Sequence, residues 1–292
     1  MKGVLSMPQV KIVTDSTADL SLEEIRDLDI KEVPLTINIA SESYVDGIDI
    51  TKQEFLKKMA KSPVLPKTAQ PSLGRFIDVL DPLVQAGHPI VLILISDRLS
   101  GTIQAAEQAK AMLKGNITII NSHSISRGLA RQVLCAGQLA KDGASVDEIV
   151  KAVKEVQAGL HLRLDVLELK NLIKGGRIGQ VQGFAANLLN IKLFLSLDEN
   201  GINIVSKVRG TKKLQKEFEN LMDKLDDIRD DLVCIDFSHA GLNDFNKSII
   251  EEAHRRFPSV PSVTCYTSPV VATHTGPDAL AITIVTKHPH KL

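Results

Sequence analysis

The feature that most constrains the fold is an unbroken apolar run, Ile90-Val91-Leu92-Ile93-Leu94-Ile95, between His88-Pro89 and the polar loop Ser96-Asp97-Arg98-Leu99-Ser100-Gly101-Thr102. A strand with one face in water alternates apolar and polar residues. A strand that is apolar at every position has both faces covered, as at the centre of a parallel sheet flanked by helices. The surrounding pattern agrees. Residues 10–14 read as a first strand, and the pair Ser21 and Glu24 forms a capping box that starts a helix. A β-branched strand is expected over 32–39. A second capping box, Thr51 with Glu54, starts a helix through Met59, and Pro63 and Pro66 break the chain. Helices over 72–83, 101–113 and 126–141, a strand over 117–120, and a helix capped by Ser145 and Glu148 complete a strand–helix alternation. That alternation means an α/β domain with a mostly parallel sheet.

The character changes near Gly159. Leu160, Leu162, Leu164 and Val166 alternate with His161, Arg163 and Asp165, the pattern of a half-exposed strand in a sheet covered on one face. Residues 193–197 and 202–208 flank Asp198-Glu199-Asn200-Gly201 and read as a hairpin with an Asn-Gly turn. Leu214, Phe218, Leu221 and Leu225 mark one face of an amphipathic helix. Strands over 232–237, 262–266 and 279–286 and a helix over 246–257 follow. A chain of 292 residues exceeds what one core usually holds. The expected division is an α/β domain over 1–159 and an α+β domain with a mixed sheet over 160–292.

Trp is absent and aromatic residues make up 3% of the chain, so the cores must be aliphatic. Ring stacking on bases or sugars is disfavoured. Lys plus Arg equals Asp plus Glu at 35 each, which leaves no net field to attract nucleic acid or an anionic membrane surface. The cysteines, Cys135, Cys234 and Cys265, are odd in number, widely spaced and free of any CxxC, as expected for reduced core thiols. No apolar run approaches the ~20 residues of a membrane span, and residues 1–9 carry no signal-peptide core. A soluble cytoplasmic protein is expected, without stable membrane insertion.

Two loops invite an anion. Ser100-Gly101-Thr102 leaves the carboxyl end of the apolar strand and enters a helix. Ligands of open α/β sheets bind at that edge, and a helix start offers unpaired N–H groups. Lys67-Thr68-Ala69-Gln70-Pro71-Ser72 also opens a helix and carries hydroxyls. In both, the competing interpretation is simple capping. In the second half, Lys174-Gly175-Gly176-Arg177-Ile178-Gly179 sets a cation among glycines but matches neither a Walker A loop nor GxGxxG. Thr273-His274-Thr275-Gly276-Pro277 places a histidine between hydroxyls. The eight histidines form no metal set at ligand spacing, and no GxSxG elbow is present.

Together these loops resemble the DegV family. The resemblance is carried by Thr14-Asp15-Ser16-Thr17-Ala18-Asp19-Leu20, Val33-Pro34-Leu35, Asp46-Gly47, Thr68-Ala69-Gln70-Pro71-Ser72, Leu99-Ser100-Gly101-Thr102, Lys174-Gly175-Gly176-Arg177-Ile178 and His274-Thr275-Gly276-Pro277, in order along nearly the whole chain. It implies two domains with a long-chain fatty acid in a tunnel where they meet. The carboxylate would be held by Thr68 and Ser100, with Gly101 and Thr102 in the same loop, and by His274 and Thr275 from the second half. Arg177 would lie near the mouth. The resemblance further implies a binding subunit, with no cofactor or metal of its own, that presents the acid to a separate kinase for acyl-phosphate formation and phospholipid synthesis. Departures from the family pattern are Ala69 in the Thr-Ser-Gln-Pro-Ser stretch, Asn121-Ser122 after the fourth strand, and Asp278 where Gly is common. Three other classes stay open. One is a hydrolase using Ser100, His274 and Asp15 or Asp97. The second is a phosphotransfer protein of dihydroxyacetone-kinase architecture carrying an adduct on His, and the third a regulatory or nucleic-acid-binding protein.

Overall fold

The computed structural model describes residues 8–177 and 191–292; Ile178 and Gly179 of the glycine-flanked loop lie outside the described residues. The apolar run forms β6 (Ile90–Leu94), buried at every position. It lies between β1 (Lys11–Asp15) and β7 (Ile117–Asn121) in a four-stranded sheet of order β2-β1-β6-β7, with β2 (Lys31–Val33) at one edge. All three pairings are parallel. One face is covered by α5 (Arg127–Lys141) and α6 (Val146–Ala158), the other by α3 (Leu73–Gln85) and α4 (Thr102–Met112), so each face has its own aliphatic core. The three capping boxes form, at Ser21, Thr51 and Ser145, starting α1 (Leu22–Asp27), α2 (Lys52–Lys61) and α6.

The strand expected over 32–39 is two strands. Pro34 and Leu35 interrupt it after β2, and β3 (Thr36–Ile39) joins a separate antiparallel sheet, β4-β3-β5, with β4 (Glu42–Val45) and β5 (Lys67–Ala69). The stretch around Thr68, read as a loop, is therefore strand at Lys67–Ala69. This small sheet packs toward the second half: Leu35, Ile37, Phe55 and Met59 share a core with Ala240, Val270 and Ala279.

The second half holds a mixed six-stranded sheet of order β10-β9-β8-β13-β11-β12. Its strands are β8 (Leu160–Val166), β9 (Ile191–Asp198), β10 (Gly201–Arg209), β11 (Leu232–His239), β12 (Thr264–Tyr266) and β13 (Leu280–Thr286). Only β11–β12 is parallel. The amphipathic α8 (Thr211–Asp227) and α9 (Asp244–Arg256) cover one face. Two readings need correction. The hairpin turn is Glu199-Asn200, with Gly201 paired to Asp198 as the first residue of β10, so Asn-Gly does not occupy the turn centre. The strand β8 is not half exposed: it lies between β9 and β13, and Arg163 and Asp165 are 7% and 0% exposed. Its polar residues point under the helical layer instead of into water. Two short helices, α7 (Leu169–Lys174) and α10 (Pro269–Thr275), escaped the sequence reading because neither is long enough to show a period.

Candidate ligand-binding site

The loops that follow β6 and β7 face the uncovered side of the second sheet, and an apolar cavity of ≈ 90 Å³ lies between them. Its walls are mainly aliphatic, including Ile95, Leu162, Leu164, Leu172, Leu195 and Val271. The floor is a row across the second sheet, Ser238–Ala281–Leu164–Leu195, paired residue to residue from β11 to β9.

Of the residues singled out from the sequence, Thr68, Ser100, Arg177, His274 and Thr275 line this cavity. One link between the halves is a hydrogen bond of 2.9 Å between Thr68 Oγ1 and His274 Nε2, from positions 206 residues apart. His274 Nδ1 is buried with no partner among the described residues. Burial first, then the nearby Arg177 guanidinium, lowers the imidazole to about 4, so the ring is neutral near pH 7. A neutral imidazole carries one N–H, and buried N–H groups are left unpaired far less often than lone pairs. The proton therefore sits on Nε2 and is donated to Thr68 Oγ1. That leaves the Thr68 hydroxyl proton free for an acceptor in the cavity. Gly175 is what lets the ring sit there: a Cβ on it would fall 2.4 Å from His274 Nδ1 and 2.9 Å from the Asn171 carbonyl.

The Ser100 loop is built in the same way. Ser100 Oγ lies 2.8 Å from Thr102 Oγ1. The N-cap of α4 is Gly101, with no side-chain cap, so Ser100 is not the capping residue. Thr68 is not a cap either: Ser72 accepts from the Arg75 amide to start α3. Capping thus explains neither hydroxyl. Gly101 does not line the cavity. Its missing Cβ makes room for Gln70, whose Oε1 would lie 2.0 Å from it, so the Gln70 side chain closes over the Ser100 loop. Gln70 itself lines the cavity, a site residue that the sequence reading passed over. Arg177 Nε donates to the Leu99 carbonyl at 3.2 Å and Nη1 to the Gly175 carbonyl at 2.7 Å, which ties the end of α7 to the Ser100 loop. Burial lowers its pKa. The Thr275 hydroxyl is turned back into α10, donating to the Val271 carbonyl at 3.3 Å.

Ser100 and His274 do not pair with each other. The bonds run Ser100 to Thr102 and His274 to Thr68, and Nδ1 meets no carboxylate among the described residues. This is not the relay of a Ser–His–Asp hydrolase, in which the second ring nitrogen is held by an acid. Of the two acids expected as the third member, Asp15 accepts instead from the Ile95 amide and from Thr17, and Asp97 is exposed.

The fold and site define a class: an α/β protein whose two main sheets enclose an aliphatic cavity with a neutral hydrogen-bonding cluster in its wall. The chain belongs to the DegV family, whose model, described as an uncharacterised protein family, matches residues 9–287. A DegV domain-containing protein of Listeria innocua is 37% identical over 276 residues, covering 94% of this chain and 98% of the relative. Among solved structures, the DegV fatty acid binding protein of Bacillus subtilis superposes with a TM-score of 0.87 at 28% identity, covering 96% of this chain and 99% of the other. A DegV family protein of Thermus thermophilus, described by its fatty acid binding, gives 0.84 at 28% identity with 95% and 99% covered. A stearic acid-binding protein of Eubacterium ventriosum gives 0.85 at 26% identity with 95% and 98% covered. Among the described residues no helix is long and apolar enough to cross a membrane, and none of their His, Cys, Asp and Glu groups forms a metal-holding cluster.

Proposed function

We propose that this protein binds a long-chain fatty acid, with the tail in the aliphatic cavity and the carboxylate on Thr68, Ser100 and His274. The observation that carries the proposal is the Thr68–His274 hydrogen bond in the wall of an otherwise apolar cavity. Burying each methylene contributes roughly 0.8 kcal/mol, so a tail of about fifteen supplies roughly 12 kcal/mol before ordering costs. A carboxylate left unpaired in such a cavity would cancel much of that. The Thr68 proton, with its oxygen already held from behind by His274, and the Ser100 proton, with Thr102 donating to Ser100 Oγ when the ligand is bound, are the donors that prevent it.

The holding groups are neutral, so the head group is bound by hydrogen bonds and not by an ion pair. Such a head group can still react. The companion proposal is that the protein presents the bound acid to a separate kinase, with Arg177 acting at the mouth on the head group or the partner. A division into units at 159/160 suits this arrangement, with the acyl chain lying between them. Fatty acid binding in the relatives from B. subtilis, T. thermophilus and E. ventriosum supports the ligand class.

The test is organic extraction of protein purified from a bacterial host, followed by mass spectrometry and by titration of the stripped protein with palmitate and oleate. The expected result is co-purified acyl chains of ~C14 to C18, long enough for methylene burial to give tight binding, and saturable rebinding. A lipid-free preparation that takes up neither acid would overturn the proposal.

A further inference from the structure

The cavity has a second polar wall that the carboxylate does not need. Ser126, Ser238 and Thr267 line it, each less than a tenth exposed, and all three belong to one hydrogen-bonded group around Asp19. Ser126 Oγ and Thr267 Oγ1 both reach Asp19 Oδ2, the latter at 2.7 Å, and Ser238 Oγ lies 2.8 Å from Ser126 Oγ. On its other side Asp19 faces Lys52, which also donates to the Tyr266 carbonyl at 2.8 Å.

The direction of the protons decides what this wall offers a ligand. A carboxylate only accepts, and each hydroxyl has one proton. Ser126 and Thr267 therefore spend theirs on Asp19, and Ser238 donates to Ser126. Each hydroxyl proton is spent within this group, so its oxygens present lone pairs to whatever lies inside. A plain methylene chain leaves them unmatched. Asp19 and Ser126 also hold left-handed backbone, with φ of 55° and 56°. Serine adopts that region rarely, and such strain persists where the surroundings demand it.

Position follows from α10. Val270, Val271, His274 and Thr275 all line the cavity, so it runs along this helix. Thr267 lies two residues before the helix and His274 near its end; five residues at the helical rise and two of extended chain put them on the order of 10 Å apart. A tetrahedral carbon chain with bonds of ~1.5 Å advances roughly 1.25 Å per carbon, so this separation spans about eight bonds.

We propose that this wall is a second subsite, built to accept a hydrogen bond from a hydroxyl about nine carbons from the carboxylate, and that the protein's ligands include mid-chain hydroxylated fatty acids. This rests on the fatty acid reading above. The chemistry separates the hydroxyl from its neighbours in oxidation state. A ketone at that carbon has no proton to give and meets lone pairs, and a second carboxylate would face Asp19.

The test compares three ligands on the stripped protein by displacement of a fluorescent fatty acid: stearate, stearate hydroxylated near the ninth carbon, and the corresponding ketostearate. Wild type is expected to bind the hydroxy acid at least as tightly as stearate and the keto acid about tenfold more weakly, near the value of one lost buried hydrogen bond. Ser238→Ala and, independently, Thr267→Val are expected to weaken the hydroxy acid about tenfold more than they weaken stearate. Two variants are used because both residues are buried and also pack in the wall. Hydroxystearate binding tenfold below stearate in wild type, or equal losses for both acids in both variants, would overturn the subsite and leave the fatty acid reading standing. Failure of all three ligands to bind would overturn both.

Discussion

Replacing Thr68 by Val tests the site at a hydrogen bond that joins the two halves in the cavity wall. The substitution keeps the β-branched shape that suits β5 and removes only the hydroxyl. Two consequences follow from the geometry. The ligand carboxylate loses a donor, and the His274 Nε2–H, which reaches Thr68 Oγ1 at 2.9 Å, loses its acceptor. Burial holds the imidazole at about 4, so the ring cannot compensate by gaining charge near pH 7. Losing one partner of a buried hydrogen bond costs about 1–3 kcal/mol, or roughly 5- to 150-fold in Kd. The assay is displacement of a fluorescent fatty acid by oleate, with oleate methyl ester as the head-group control. His274 acts through Thr68, so a double-mutant cycle with His274→Ala should show coupling of about 0.5–3 kcal/mol, the double variant losing less than the sum. A folded Thr68→Val protein whose Kd for oleate stays within about twofold of wild type would refute the reasoning. So would an equal loss for acid and ester.

Gly175→Ala is expected to weaken oleate binding by about tenfold or more in the same assay. Its Cβ would meet His274 Nδ1 at 2.4 Å and the Asn171 backbone carbonyl at 2.9 Å, neither of which can swing away. Gly101→Ala, whose clash is with the flexible end of Gln70, is expected to do less. Arg177→Ala is expected to spare oleate binding and to slow acyl-phosphate formation when a fatty acid kinase and ATP are supplied; equal turnover would remove Arg177 from the proposal. Asp165 is expected to make stability fall with rising pH. It is fully buried, accepts from the Leu280 amide through Oδ1 and has no partner for Oδ2 among the described residues, and burial raises its carboxyl to about 8. The folded protein keeps this proton while the unfolded chain has released it, so the contribution is full below the unfolded value of 3.8 and is lost as pH rises to about 8. Denaturant titrations of wild type and Asp165→Asn should diverge by about 1.4 kcal/mol per pH unit between pH ~5 and ~8; parallel curves would show that this carboxyl is already charged.

Most of the first sheet was legible because its signals are local. An apolar run names a central strand, and three capping boxes name three helix starts within a residue. The small sheet β4-β3-β5 was not legible. Its strands are three or four residues long, and what pairs β3 with β5 is a contact across some thirty residues of chain that no period records. The burial of Arg163 and Asp165 was misread for a related reason: alternation shows that two faces differ, not that one of them meets water. The candidate loops stood out as types of residue at strand ends and helix starts. Their convergence could be stated only through the family resemblance, because Thr68 and His274 are 206 residues apart. Gln70 was missed because a glutamine in a loop carries no signal until Gly101 is seen beneath it. Asp278, flagged as a departure where glycine is common, adopts φ of 56°, the left-handed conformation glycine would take; aspartate tolerates it, so the turn beside His274 keeps its shape.

The site's chemistry follows from where the two main sheets fail to close on each other. The first sheet is covered by helices on both faces and can meet the second only through its strand ends, which supply loops carrying hydroxyls. The second sheet has helices on one face, so its other face must be covered by something else. The small sheet with α2 and α10 covers part of it, and the rest is the cavity floor, Ala281, Leu164 and Leu195. An apolar floor roofed by strand-end loops will be greasy along its length and polar only where the loops descend. That happens at Ser100 and again at Ser126, with Thr68 reaching in from β5 and Ser238 lying at the edge of the floor. Between them the lining admits a flexible hydrocarbon and little else, since any further polar group on the ligand would be buried without a partner. An amphiphile with its polar atoms at one or both of those places is the ligand such a junction can accept.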